Sequence, residues 1–85
     1  MTFKELKKGD PIYIYSEIEN KGLAETDIIK SIRKKNNKIQ ILTDDEYWYI
    51  PSEYENEVLH IMNLGNLKVH LCSDYMYFQE AYETK

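Results

Sequence analysis

Apolar and polar residues alternate along this chain in short bursts divided by turn-forming residues, a pattern that predicts a mainly β domain. Ile12-Tyr13-Ile14-Tyr15 is the first burst. Its β-branched and aromatic residues favour a strand, with the isoleucines on one face and the tyrosines on the other. Ahead of it, residues 2–8 predict a turn of helix with Phe3 and Leu6 on one side, broken by Gly9-Asp10-Pro11. Residues 17–22 are polar and predict a loop. Residues 24–35 carry two patterns. Thr26 or Asp27 as a cap, Ile28 and Ile32 four apart and a basic end fit a helix. The shared parity of Ile28 and Ile32 also fits a strand, leading through Asn36 and Asn37 into Ile39-Gln40-Ile41-Leu42. Asparagine tolerates left-handed backbone angles, which suits a hairpin tip. One long strand over 24–35 is the preferred expectation, because the segment after it needs a partner.

Asp44-Asp45 marks a turn, and Tyr47-Trp48-Tyr49-Ile50 predicts a third aromatic strand ended by Pro51, which lacks a ladder donor. Residues 51–57 predict a single-turn connector. Residues 58–62 and 67–72 predict two more strands, with Gly65 and Asn66 at a tight turn between them. Ser73 is the expected cap of a final helix over 74–83, whose first turn Asp74 favours. Tyr75, Phe78 and Tyr82 fall on one helical face, expected to pack on the strands or on a second copy. Five or six short strands and a terminal helix predict one small antiparallel β-barrel domain over residues 1–85. The barrel is expected at 9–62 and the added strand and helix at 67–83.

At 85 residues the chain has room for one domain, and its 42% hydrophobic content suffices for one small core. No apolar run approaches the roughly 18 residues that cross a bilayer, so no membrane role is expected. The first twenty residues lack an apolar leader pattern, and the single cysteine cannot form an internal disulfide. Both favour the cytoplasm as the expected location. The net charge of −4 hides an asymmetry: residues 1–43 hold nine basic and six acidic groups, residues 44–85 two basic and nine acidic. A domain that grips duplex DNA is usually basic overall, so the balance argues against that role.

The segment Tyr49-Ile50-Pro51-Ser52-Glu53-Tyr54 resembles the tail signature of Src-homology-three domains. There a strand ends in Pro-Ser, makes one tight helical turn and enters the last barrel strand, which Val58 would open here. Leu6-Lys7-Lys8-Gly9-Asp10-Pro11-Ile12-Tyr13 is similar to the Gly-Asp turn that launches the first strand of bacterial members. The acidic aromatic opening and the tryptophan pair of the signalling members are absent, and Trp48 precedes the Pro-Ser segment instead of standing at the groove position. Short barrel proteins of gut bacteria and their phages are also similar, running from a Leu-Lys-x-Gly-Asp opening through an aromatic-Pro segment to a terminal helix. The resemblance implies a Src-homology-three-like barrel and a peptide groove bordered by Pro51 and Tyr54.

Three residue sets are candidates for function. Tyr13, Tyr15, Tyr47, Trp48, Tyr49, Pro51 and Tyr54 make an aromatic set suited to binding a protein partner, since Tyr and Trp bring large contact area at low entropy cost. Tyr13, Tyr15, Tyr47 and Tyr49 are expected to share an exposed stripe. The plainer alternative is that they cover the barrel beneath the helix. Lys30, Arg33, Lys34, Lys35 and Lys38 form a basic hairpin that fits a nucleic-acid backbone or, more plainly, a charged edge that deters strand pairing. Asp44, Asp45, Glu46, Glu53, Glu55 and Glu57 suit a phosphate mimic of the kind a phage inhibitor of a DNA-acting enzyme would carry, or plain turn chemistry.

No phosphate loop, nucleophile elbow or metal-ligand spacing occurs, and His60, His70 and Cys72 do not make a zinc set. The expected role is therefore a non-catalytic, cofactor-free, adaptor-like protein-binding module. Self-association through strand edges is also plausible, and a nucleic-acid-associated role is the alternative.

Overall fold

The computed structural model describes residues 1–18, 21–44 and 46–83. A 3-10 turn at Phe3–Glu5 precedes seven strands: β1 Pro11–Ile18, β2 Lys21–Ile28, β3 Ser31–Lys35, β4 Lys38–Leu42, β5 Tyr47–Pro51, β6 Leu59–Leu64 and β7 Leu67–Cys72. A second 3-10 turn, Ser52–Tyr54, follows β5, and helix α1 covers Tyr75–Ala81. The strands build two antiparallel sheets, one of order β2-β1-β7-β6 and one of order β3-β4-β5. The chain is thus mainly β with a short C-terminal helix.

Three expectations need correction. Residues 24–35 are extended, but they form two strands in different sheets. The reason lies at the corner between them: Ile29 N donates to Asp10 O at 2.9 Å, whereas Lys30 N donates to Leu42 O at 2.7 Å. Consecutive amides are thereby satisfied by opposite sheets, which turns the chain. Ile29 is buried there while Ile28 is exposed. In the loop expected over 17–22 the described residues are strand: β1 runs on to Ile18, β2 starts at Lys21, and Glu17 pairs with Gly22, while residues 19 and 20 lie outside the described residues. Finally, β7 is not peripheral. It lies between β1 and β6, with Tyr15 opposite His70 and Ile61 opposite His70 on its other side.

Two hairpin tips follow from local chemistry. Asn36 and Asn37 both take left-handed angles, φ 53° and 63°, as a two-residue primed turn requires. That turn fixes Lys35 opposite Lys38 and so sets the β3–β4 register. Gly65, at φ 64°, opens the β6–β7 turn.

The core lies between the sheets. Ile12 and Ile14 from β1 and Val69 and Leu71 from β7 meet Ile39 and Ile41 from β4 and Trp48 and Ile50 from β5. Phe3 and Leu6 fill one end, as their spacing predicts. Each fully buried aliphatic contributes on the order of 1.5–3 kcal/mol by leaving water. The Trp48 indole Nε1 donates to the buried Thr43 hydroxyl at 3.2 Å, which satisfies its one polar atom inside the core.

Candidate binding surface

The inward alternation that builds the core leaves each sheet with an outer face, and the two faces differ. On the four-stranded sheet, Tyr13 and Tyr15 of β1 point outward beside His70 and Cys72 of β7. Helix α1 lies over them. The Tyr13 ring sits 5.3 Å from Phe78 and 5.5 Å from Tyr75, and Tyr15 stacks on Tyr82 at 4.5 Å. Phe78 is fully buried in this contact. The i, i+3, i+7 face foreseen in the sequence therefore packs on the sheet. The N-cap is Asp74, not Ser73: its carboxylate accepts from Tyr77 N at 2.9 Å, which holds its pKa below the ordinary carboxylate value. The Ser73 hydroxyl instead donates to the Met1 carbonyl at 2.6 Å.

Beneath the helix, His70 Nδ1 and the Tyr82 hydroxyl form a 2.7 Å hydrogen bond, while the buried Nε2 has no partner among the described residues. Burial pushes the imidazole pKa down, with Lys68 lowering and Glu17 raising it. Burial also pushes the Cys72 thiol up, so it is a packed hydrophobe and not a poised nucleophile. Tyr15 crosses Gly22 on β2 so closely that a Cβ there would run into its ring.

The outer face of β3-β4-β5 has no such cover. Its register sets three rows of outward side chains: Ser31, Leu42 and Tyr47; Arg33, Gln40 and Tyr49; Lys35, Lys38 and Pro51. Tyr47 is 56% and Tyr49 47% exposed, and Arg33, Lys35 and Lys38 are all exposed. Gln40 Nε2 donates to the Tyr49 hydroxyl at 3.4 Å, and the Lys38 ammonium lies 5.9 Å from the Tyr49 ring centre. Lys35, Asn36, Lys38, Gln40 and Tyr49 line an open cleft of about 310 Å³.

Parts of two sequence candidates therefore meet here: Arg33, Lys35 and Lys38 of the basic set, and Tyr47, Tyr49 and Pro51 of the aromatic set. The expected four-tyrosine stripe does not form, because Tyr13 and Tyr15 belong to the other sheet and lie under α1. Trp48 is a core residue. Tyr54 sits apart, its ring 4.9 Å from His60. Of the basic set, Lys30 pairs with Asp44 at 3.5 Å, and Lys34 is exposed at the β3 edge on the inward parity. Arg33, Lys34, Lys35 and Lys38 make no ion pair with a described residue. The acidic set divides. Asp44 and Glu46 flank the β4–β5 turn, while Glu53, Glu55 and Glu57 follow in the connector, where the Glu55 and Glu57 carbonyls accept from Lys4 N and Phe3 N. Asp45 lies outside the described residues.

The union of cations and rings was within reach of the sequence. Once Asn36 and Asn37 fix the hairpin, alternation puts Arg33, Lys35, Lys38 and Gln40 on one face. What the sequence lacked was the β5 register, which adds Tyr47 and Tyr49.

His60 and His70 face opposite sides of the β6–β7 pair, opposite Leu71 and Ile61 respectively. Among the described residues, no three His, Cys, Asp or Glu side chains are placed to share a metal ion. No helix there is long and apolar enough to cross a membrane. Comparisons with protein-family models, with curated proteins and with solved structures found no match to this chain.

Proposed function

We propose that the chain is a non-catalytic binding module of Src-homology-three-like build, and that it holds a macromolecular partner on the outer face of β3-β4-β5. Three features support the build. A Gly-Asp turn launches β1. The chain passes from one sheet to the other at Ile29 and Lys30, and β5 runs through Pro51 into a single 3-10 turn. In this build β7, and not β6, takes the place beside the first strand, which the resemblance alone does not supply.

One observation carries the binding proposal. The nine outward positions of the three-stranded sheet include three cations, no carboxylate and two tyrosines about half exposed. Half-exposed rings beside Lys and Arg that make no ion pair with a described residue are contact chemistry, because rings bring area with few rotors and cations bring steering. Among the described residues, none of these groups is paired with an activating base or acid, as catalysis would ask. The resemblance-derived groove at Pro51 and Tyr54 joins this surface only through Pro51.

The test is site-specific photo-crosslinking in cells that express the protein. A photoreactive residue at position 49 is expected to capture a macromolecule, and the same residue at position 76 on the exposed side of α1 is not. Equal capture at both positions, or none at 49, overturns the proposal.

A further inference from the structure

We infer that the occupant of the β3-β4-β5 face is a single-stranded nucleic acid, its bases on Tyr47 and Tyr49 and its phosphates on Arg33, Lys35 and Lys38. The inference rests on the binding face proposed above and names its ligand.

Charge selects the class. The whole chain is acidic at −4, yet the three outward rows hold three cations and no acid. Asp44 and Glu46 flank the turn before Tyr47, at the far end of the sheet from Lys35 and Lys38, and Glu53 follows Pro51 in the 3-10 turn beyond β5. The cations of the outward rows gather toward the Asn36–Asn37 tip, and an anion is drawn to that part of the face. Lys30 pairs with Asp44, but Arg33, Lys35 and Lys38 make no ion pair with a described residue. These three remain available for phosphates.

The rings select within the class. Tyr47 and Tyr49 are two residues apart on one strand, so their Cα atoms stand about 7 Å apart on the same face. Each ring can therefore take a base of its own, and stacking of this kind accepts any base. An acidic peptide would use the cations and gain little from two half-exposed phenol rings. A duplex keeps the faces of its bases stacked inside, so it offers the two rings nothing to stack on. Gln40, held by the Tyr49 hydroxyl, and Asn36 add amides at the rim of the cleft of about 310 Å³, which suits a group of nucleotide size.

The test is fluorescence anisotropy of the intact protein with labelled eight-nucleotide oligothymidine and oligouridine. An octaglutamate peptide and an eight-base-pair duplex are compared in parallel. Three phosphate contacts predict that affinity for the single strands falls roughly 20-fold between 50 and 200 mM salt. Tyr47→Ala and Tyr49→Ala are each expected to weaken binding about tenfold or more, and Tyr49→Phe to retain it. Arg33→Glu with Lys35→Glu is expected to abolish it, and Lys68→Glu on the other sheet to leave it unchanged. Circular dichroism checks that each variant folds.

Binding of the single strands that ignores both tyrosines, or that octaglutamate or the duplex matches, overturns the inference, as does no binding at 50 mM salt. If the crosslink at position 49 captures protein and the oligonucleotides do not bind, the face stands and its assigned ligand falls. If it captures nothing, both fall.

Discussion

The two sheets present the same kind of outer face and use it differently. On the four-stranded sheet Tyr13 and Tyr15 lie under α1, against Phe78, Tyr75 and Tyr82. On the three-stranded sheet Tyr47 and Tyr49 stand in the open beside Arg33, Lys35 and Lys38. Both pairs come from a strand that alternates apolar-in with tyrosine-out. The difference lies in which sheet the last helix reaches: α1 follows β7, and β7 sits next to β1. A tyrosine on a strand is thus a structural or a contact residue according to what covers it, and its own strand does not decide that.

The comparison can be broken first at the cover. Phe78→Ala removes the only fully buried side chain of α1 and is expected to cost about 3–5 kcal/mol in urea unfolding, with Tyr13 and Tyr15 becoming solvent-accessible. A loss below about 1 kcal/mol would show that the helix does not hold that face. Next comes the close approach of Tyr15 to Gly22. Gly22→Val drives a branched side chain into the Tyr15 ring and is expected to destabilise by about 1–3 kcal/mol. Tyr15→Ala in the same chain should recover part of that loss, a coupling that a double-mutant cycle measures.

The four-stranded sheet is also the pH-sensitive one, with a histidine on each of its faces. His70, under α1, and His60, against Tyr54, both have pKa values pushed below the ordinary imidazole value of about 6.5, in each case chiefly by burial. Above that value the rings are neutral in folded and unfolded chains alike, and stability is complete. As pH falls through about 6.5 the unfolded chain takes up protons that the folded one refuses, so stability drops until the lowered folded-state values are reached. Melting temperatures between pH 7.5 and 5 should show this decline, and His70→Gln should flatten it. An unchanged slope in that variant would assign the effect elsewhere. The smallest expected effect is on the open side. Tyr49→Ala should change unfolding free energy by less than about 0.5 kcal/mol, since its ring is about half exposed and no described element covers it. A loss as large as that of Phe78→Ala would erase the contrast between the two sheets.

Much of the fold was legible locally. The Ile12 to Tyr15 alternation, the two asparagines at the β3–β4 tip, the run from Tyr47 to Ile50 and the helical face of Tyr75, Phe78 and Tyr82 all appear in the elements they predict. The failures were non-local. The corner at Ile29 and Lys30 arises because adjacent amides find carbonyls on Asp10 and Leu42, residues far apart in the chain. Residues 17, 18, 21 and 22 look like a loop because strand pairing, and not side-chain hydrophobicity, orders them. The site was half legible: charge clustering found the basic hairpin and composition found the rings, but not that Tyr47 and Tyr49 join the cations while Tyr13 and Tyr15 do not.

The sequence alone determined the element types, the two hairpin tips and the core parity of most strands, because these follow from backbone preferences and a period of two within a few residues. Only the tertiary structure decided that β7 would lie between β1 and β6, that α1 would cover one sheet and that the other would keep its cations and rings in the open. Those outcomes depend on which distant backbone groups pair, and pairing over such separations is settled by packing of the whole core and not by any one segment.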